Sequence, residues 1–398
     1  MSGSRPIGLL AQEDGAGVDF ARLRAARRER VRAEMERQGV DVLVLGRRGN
    51  AKYLGGHRWL WRAVLTPFGP LCIFVRESGE IHLLGCTWDD GIPAEIPTQR
   101  LSALTWNPRN TVAAIRRVEE LAVASRIGVD GMSPFLADVL AELAPRAEIV
   151  DGERLMRSVR AVKLPAEIDC IRGALAIAEG SLAAVAAQLR PGVTEIELGA
   201  RTAQEMSRFG TTLPALEASF CATPRAGEGP VPPLRQRPSA RALAAGDLVA
   251  CSAGVLFAGY EGVATRSWPC LGPTGSPSPA QRSLHARWRA AQQEVVARCR
   301  PGAVAVELRK AWLDTGEPLP PVLLAHGVGM GVEPPIVAGA AGPEPVDDEP
   351  LREGMVVAVQ GYVWERGVGG YLGGETLLVT ADAPLPLSRV SDAPLGDA

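Results

Sequence analysis

The sequence predicts two domains, an α/β domain of some 150 residues and then a larger α+β domain with a mainly antiparallel sheet. Three observations carry this. The chain has 398 residues, more than one ordinary domain. Up to about residue 151, strand-like runs alternate with helical ones, the pattern of an α/β sheet. Beyond residue 155 helices come first and strands follow. The expected boundaries are a tail at 1–17, a first domain at 18–154 and a second at 155–390.

In the first domain, apolar residues recur at helical spacing from Phe20 to Gln38 (Leu23, Val31, Met35), and Gly39 stops that helix. Its arginines alternate with Glu29, Glu34 and Glu36 and read as a solvated face. Val40-Asp41-Val42-Leu43-Val44-Leu45, apolar but for Asp41, reads as a short buried strand of the kind found in parallel sheets. Leu71–Val75 and Ile81–Leu84 flank Glu77-Ser78-Gly79-Glu80 as a hairpin. A helix over 111–124, a strand at Arg126–Val129, a helix at Pro134–Leu143 and a strand at Glu148–Asp151 complete the domain.

The second domain opens with helical pattern over 152–190, including the alanine-rich Glu167–Leu189. Thr194, followed by Glu195 and Glu197, starts another helix with a capping residue and early acids. Residues 221–240, rich in Pro and Gly, read as a loop. Strands are expected at Asp247–Ala253, Phe257–Thr265, Met355–Val359 and Thr376–Val379, with a helix over 278–299 between them.

Composition narrows the chemistry. A net charge of −2 gives no broad footprint for nucleic acid or an anionic membrane. No apolar run approaches 18 residues, so no membrane span is expected. The seven cysteines form no Cys-x-x-Cys pair, which argues against structural zinc and for a reduced, cytoplasmic protein. The four histidines (His57, His82, His285, His326) share no ligand-like spacing. Cys251 adjoins Ser252 but alternates to the opposite strand face, as a core residue would.

A series of short motifs then carries a resemblance. In the first domain these are Gly39-Val40-Asp41, Asn50-Ala51-Lys52-Tyr53-Leu54-Gly55-Gly56 and Ser78-Gly79-Glu80. In the second they are Leu155-Met156-Arg157, Val162–Ile168, Arg190–Glu195, Gly246–Val249, Gly259-Tyr260, Thr265-Arg266, Ala325–Gly329, Glu333-Pro334-Pro335, Gly354-Met355-Val356 and Leu378-Val379-Thr380. Their order resembles the pita-bread-fold family of creatinase, prolidase and Xaa-Pro aminopeptidases over about residues 20–385. The resemblance implies a creatinase-like first domain, a curved pita-bread sheet in the second and a homodimer. It also implies that the loop at 53–62, with His57, Arg58 and Trp59, reaches a partner's cavity and touches substrate.

The metallopeptidases of this family hold two divalent ions with two aspartates, a histidine and two glutamates. Carried over by spacing, those positions fall on Ser252, Val263, His326, Gln360 and Gly374. Only the histidine stands. Glu375 neighbours the last position, but a one-residue shift on a strand turns its side chain to the other face. The family's supporting histidine is deleted between Val332 and Glu333. In creatinase, which works without metal, the general-base position corresponds to Arg235, which cannot serve as a base. Creatinase's two glutamates fall on Thr265 and Gln360.

The expected function is therefore a metal-independent, creatinase-like enzyme without cofactor, a hydrolase or lyase of C–N bonds in a small amino-acid-like or carboxylate-bearing substrate. His326 would be the acid–base group, or else a vestigial ligand in a packed pocket. Glu333 and Tyr260 would share the catalytic role. Arg235 would clamp a carboxylate, with Ser252, Gln360 and Arg266 also binding substrate. Glu261 reads as a solvated residue after the Gly-Tyr turn. The alternatives are a non-catalytic binding or scaffold protein and an Xaa-Pro-type metallopeptidase with relocated ligands. Arg235, Ser252, Val263, His326, Gln360 and Gly374 are expected to converge on one cavity.

Overall fold

The computed structural model describes residues 13–59, 69–86, 91–105, 107–211, 213–232, 234–272, 275–340 and 349–395. They form two compact units that divide between Arg160 and Ala161. Residues 1–12 of the expected tail and residues 60–62 of the expected partner-reaching loop lie outside the described residues.

In the N-terminal unit the elements are α1 (Phe20–Gln38), β1 (Val42–Leu45), α2 (Arg48–Gly55), β2 (Cys72–Val75), β3 (Ile81–Cys86), β4 (Leu101–Ala103), α3 (Pro108–Ile115), α4 (Glu120–Val123), β5 (Arg126–Val129), α5 (Pro134–Leu143), β6 (Glu148–Asp151) and α6 (Gly152–Ala161). The sheet order is β4-β3-β2-β1-β5-β6. Only β2 runs against the rest, because the hairpin reverses the chain once on each side of it. The helix expected over 111–124 is two short helices.

One expectation for α1 is corrected. Asp19 caps the helix and Gly39, with a positive φ of 67°, ends it as expected. Its arginines, however, are not a uniformly solvated face. Arg27 is fully buried and Arg24 nearly so. Arg24 pairs with Glu13 at 2.5 Å and Glu95 at 2.6 Å, and Arg27 with Glu13 at 3.2 Å while lying over the Tyr53 ring. The acids that neutralise them come from outside the helix, so spacing along the helix could not reveal them.

The C-terminal unit continues with α7 (Pro165–Ala186), α8 (Glu195–Arg208), β7 (Pro214–Ala222), β8 (Leu248–Phe257), β9 (Tyr260–Pro269), α9 (Pro279–Arg298), α10 (Ala305–Leu313), β10 (Ala325–Gly329), β11 (Gly331–Val337), β12 (Val356–Glu365), β13 (Gly369–Leu378) and β14 (Leu385–Pro386). Two antiparallel sheets result, β7-β8-β9 and β11-β10-β12-β13-β14. Thr194 and Glu197 close a reciprocal capping box at the start of α8. β7, α10, β10, β11 and β14 were not assigned from the sequence; among the strands, short ones such as Ala-His-Gly-Val-Gly carry no alternation.

The core of this unit rests on two tryptophans. Trp288 of α9 and Trp312 of α10 are fully buried. They press on Gly373 and Gly361 so closely that a Cβ at either would lie 2.3 Å from an indole carbon. Trp288 Nε1 donates to the Gly361 carbonyl at 3.1 Å and Trp312 Nε1 to that of Pro318 at 2.9 Å, so both polar tips are satisfied.

Arg266 also belongs to this core, which corrects its expected role in substrate binding. It is 3% exposed, its guanidinium meets Asp392 at 2.8 Å and the Gly374 carbonyl, and it lies over the Trp288 ring. His285, buried and stacked on Trp288, reaches Asp392 at 3.7 Å. Burial alone would raise the Asp392 carboxyl. The neighbouring His285 imidazole and the charges of Arg266 and Arg289 outweigh it and hold the carboxyl below the ordinary aspartate range. A depressed native value adds stability that is present above the unfolded pKa and lost as pH falls through the native one. Asp392→Asn is thus expected to lower Tm by several degrees at neutral pH, with the deficit shrinking below pH ~4, as melting curves across pH would show.

Candidate active site

A cavity of about 760 Å³ opens in the C-terminal unit. Antiparallel pairing explains which residues reach it. β8 and β9 join through the Ala258-Gly259 turn, so Ser252 pairs with Thr265, Gly254 with Val263 and Leu256 with Glu261. The period of two puts Glu261, Val263 and Thr265 on one face of β9, and all three line the cavity. Ser252 lines it from β8, its Oγ 3.2 Å from Thr265 Oγ1. His326 enters from β10 and Gln360 from β12.

Of the six positions expected to converge, Ser252, Val263, His326 and Gln360 do so. Gly374 pairs with Gln360 across β12–β13 but offers no side chain. Arg235 turns away from its expected role. Its guanidinium binds Glu195 at 2.5 and 2.6 Å, and the fully buried Glu195 carboxylate also accepts from Ser239 and Ala222. Those bonds hold Glu195 below the ordinary carboxylate range despite its burial. The adjacent Gln236 and Arg237 line the cavity instead.

Tyr260 and Glu333 are also placed otherwise than as catalytic groups. The Tyr260 hydroxyl is buried and donates to Glu167, whose other oxygen accepts from Leu164 N at the start of α7. Glu333 is 1% exposed and pairs with Lys163 Nζ at 2.5 Å. It fits because residue 329 is glycine, where a Cβ would lie 2.3 Å from Glu333 Oε1. The Glu333 carboxylate is thus engaged by a buried lysine. His57 is fully buried in the N-terminal unit, edge-on to Trp59, and Arg58 is half-buried.

The residue that sequence reasoning missed is Glu261. It is 8% exposed rather than solvated and lines the cavity. Burial pushes its carboxyl above the ordinary range, the charge of His326 pulls it back and that of Glu333 raises it further. Glu261 lies two residues before Val263, on the same strand face, so period-two counting from the vacant ligand position would have found it. His326 Nδ1 lies 3.1 Å from the Gly327 carbonyl, which can only accept, so Nδ1 carries a proton and donates it there. Cys251 is buried and its thiol is pushed far up by burial, which fits the core role expected of it.

A mixed α/β unit followed by an antiparallel unit that encloses a carboxylate and an imidazole defines a two-domain pita-bread protein of the creatinase/prolidase class. The chain belongs to metallopeptidase family M24, which matches residues 169–381, and the creatinase/prolidase N-terminal domain matches residues 27–162. Among curated relatives, the Xaa-Pro dipeptidase of Pyrococcus horikoshii is 24% identical over 367 residues, 89% of this chain and 94% of that one. The probable dipeptidase PepE of Mycobacterium tuberculosis is 27% identical over 340 residues, 82% and 80% of the two chains. The fold is similar to the prolidase from Pyrococcus horikoshii (TM-score 0.70, 21% identity, 92% of this chain and 99% of that one). It is also similar to the X-Pro aminopeptidase from Thermotoga maritima (TM-score 0.71, 17% identity, 92% and 98%).

These findings overturn the expected metal-independent, creatinase-like C–N enzyme. The family is one of metallopeptidases and the named relatives are dipeptidases, which accords with the peptidase alternative. The donors present do not fit the dinuclear centre that the resemblance implies. Ser252, Val263, Gln360 and Gly374 supply no carboxylate, and no three His, Cys, Asp or Glu among the described residues are grouped to hold a metal ion. Among the described residues no helix is long and apolar enough to cross a membrane.

Proposed function

We propose that the chain hydrolyses short peptides of the Xaa-Pro type in the cavity of its C-terminal unit. The observation that carries this reading is Glu261, a buried carboxylate with a raised pKa that shares its cavity with His326. A carboxylate nearer to neutrality is a better base for the proton of an attacking water than an ordinary one. In this reading Glu261 takes that proton as the water oxygen adds to the scissile carbonyl. His326 delivers a proton to the departing imide nitrogen, so the proton taken from water is matched by one given to the leaving group. Ser252, Thr265 and the Gln360 amide offer hydrogen bonds to the oxyanion. The names of the relatives supply the substrate class, and a volume of about 760 Å³ accommodates a dipeptide.

The test is release of free proline from a panel of Xaa-Pro dipeptides by purified protein, with and without added Mn²⁺ or Co²⁺. Turnover that is lost in His326→Ala supports the reading. Binding of the dipeptides without release under any of these conditions contradicts it.

The raised pKa has a consequence for stability. A carboxyl whose native pKa exceeds its unfolded value costs stability progressively as pH rises from the unfolded value to the native one, and the full cost is present above the native value. Glu261→Gln should raise Tm at neutral pH, and the gain should vanish at pH ~3, where both states carry the proton. Melting curves at both pH values check this.

A further inference from the structure

A second cavity, of about 800 Å³, lies within the N-terminal unit and has no part in the proposed hydrolysis. β1, β3, β4, β5 and β6 run parallel, and the cavity sits at their carboxyl edge. Open α/β sheets bind their ligands at that edge. Leu71, Leu84, Leu101 and Ala114, all buried, form an apolar floor, and Phe135 at the start of α5 adds an aromatic wall.

The charge of the lining selects the ligand. Among the described lining residues none is acidic, and Arg117 is the one cation. The exposed Arg117 guanidinium donates to Ser102 Oγ and makes no ion pair among the described residues. A guanidinium without an acid beside an apolar floor suits a ligand with an apolar body and one anionic group. With no carboxylate to receive it, an ammonium group on that ligand would lose its solvation uncompensated.

We propose that this cavity binds an apolar monocarboxylate, such as a medium-chain or aryl-alkanoic acid, with Arg117 holding the carboxylate. Calorimetric titration of the full chain with octanoate and 3-phenylpropanoate tests it, with octan-1-ol and phenylalanine as the uncharged and ammonium-bearing controls. The expected result is saturable binding of both acids at one equivalent per chain, with both controls weaker. Arg117→Gln, an exposed change that leaves the fold intact, should weaken the acids about tenfold or more. Ala113→Trp, from the exposed side of α3 into the cavity, should do the same by filling it. Absence of saturable binding at millimolar acid, equal binding of octan-1-ol, or acid binding unchanged in Arg117→Gln overturns the proposal. So does binding that Glu261→Gln abolishes and Arg117→Gln spares, since the ligand would then occupy the other cavity.

Discussion

Replacing Glu261 by Gln is expected to lower kcat for Xaa-Pro hydrolysis by about 10²- to 10⁴-fold, the range for loss of a general base. The amide keeps the volume and hydrogen-bonding reach of the carboxylate but cannot take a proton. KM should change little, because the peptide's other contacts remain. The acidic limb of the kcat/KM profile should also report Glu261. It should fall above the ordinary glutamate range, because burial of the carboxylate is the largest influence on it and Glu333 adds to that. Combined with the higher Tm expected at neutral pH, this variant would be more stable and nearly inactive, a pairing that a merely structural carboxylate would not give.

The second large effect concerns Lys163 and Glu333. Both side chains are 2% exposed and the pair is 2.5 Å apart, so solvent scarcely screens it. Lys163→Met leaves the Glu333 carboxylate buried without its cation, at an expected cost of about 3–5 kcal/mol in denaturant unfolding. The double variant Lys163→Met with Glu333→Leu should recover much of that loss, because neither charge is then stranded. The single variant should also move the acidic limb of activity upward. Lys163 no longer offsets the Glu333 charge, and that charge raises Glu261. A loss of stability that the double variant does not relieve would show that the pair does not act as a unit.

The order of short motifs made the two-domain fold legible, since several of them mark a turn, cap or close approach that this backbone needs. Gly39 ends α1, Thr194 starts α8 and Gly329 makes room for Glu333. The ligand positions were legible too, and Ser252, Val263, His326 and Gln360 do share one cavity. What failed were inferences about where charge goes. Arg235 looked like a free cation because its partner Glu195 is forty residues away in sequence. Arg24 and Arg27 looked solvated because Glu13 and Glu95 lie outside their helix. Glu333 and Arg266 looked available because Lys163 and Asp392 stand 170 and 126 residues from them. Pairing across such distances leaves no periodic trace. Glu261 differs, since strand alternation did point to it. Reading the residues after the turn as solvated concealed it.

The most direct measurement is mass spectrometry of the products of an Xaa-Pro dipeptide incubated with the protein in ¹⁸O-labelled water. Hydrolysis in the C-terminal cavity should give free proline without label and the Xaa amino acid with one ¹⁸O in its new carboxyl group. The Glu261→Gln protein should give neither. Intact dipeptide from the wild-type chain across the panel, with or without divalent ions, would contradict the assignment of this cavity to peptide hydrolysis.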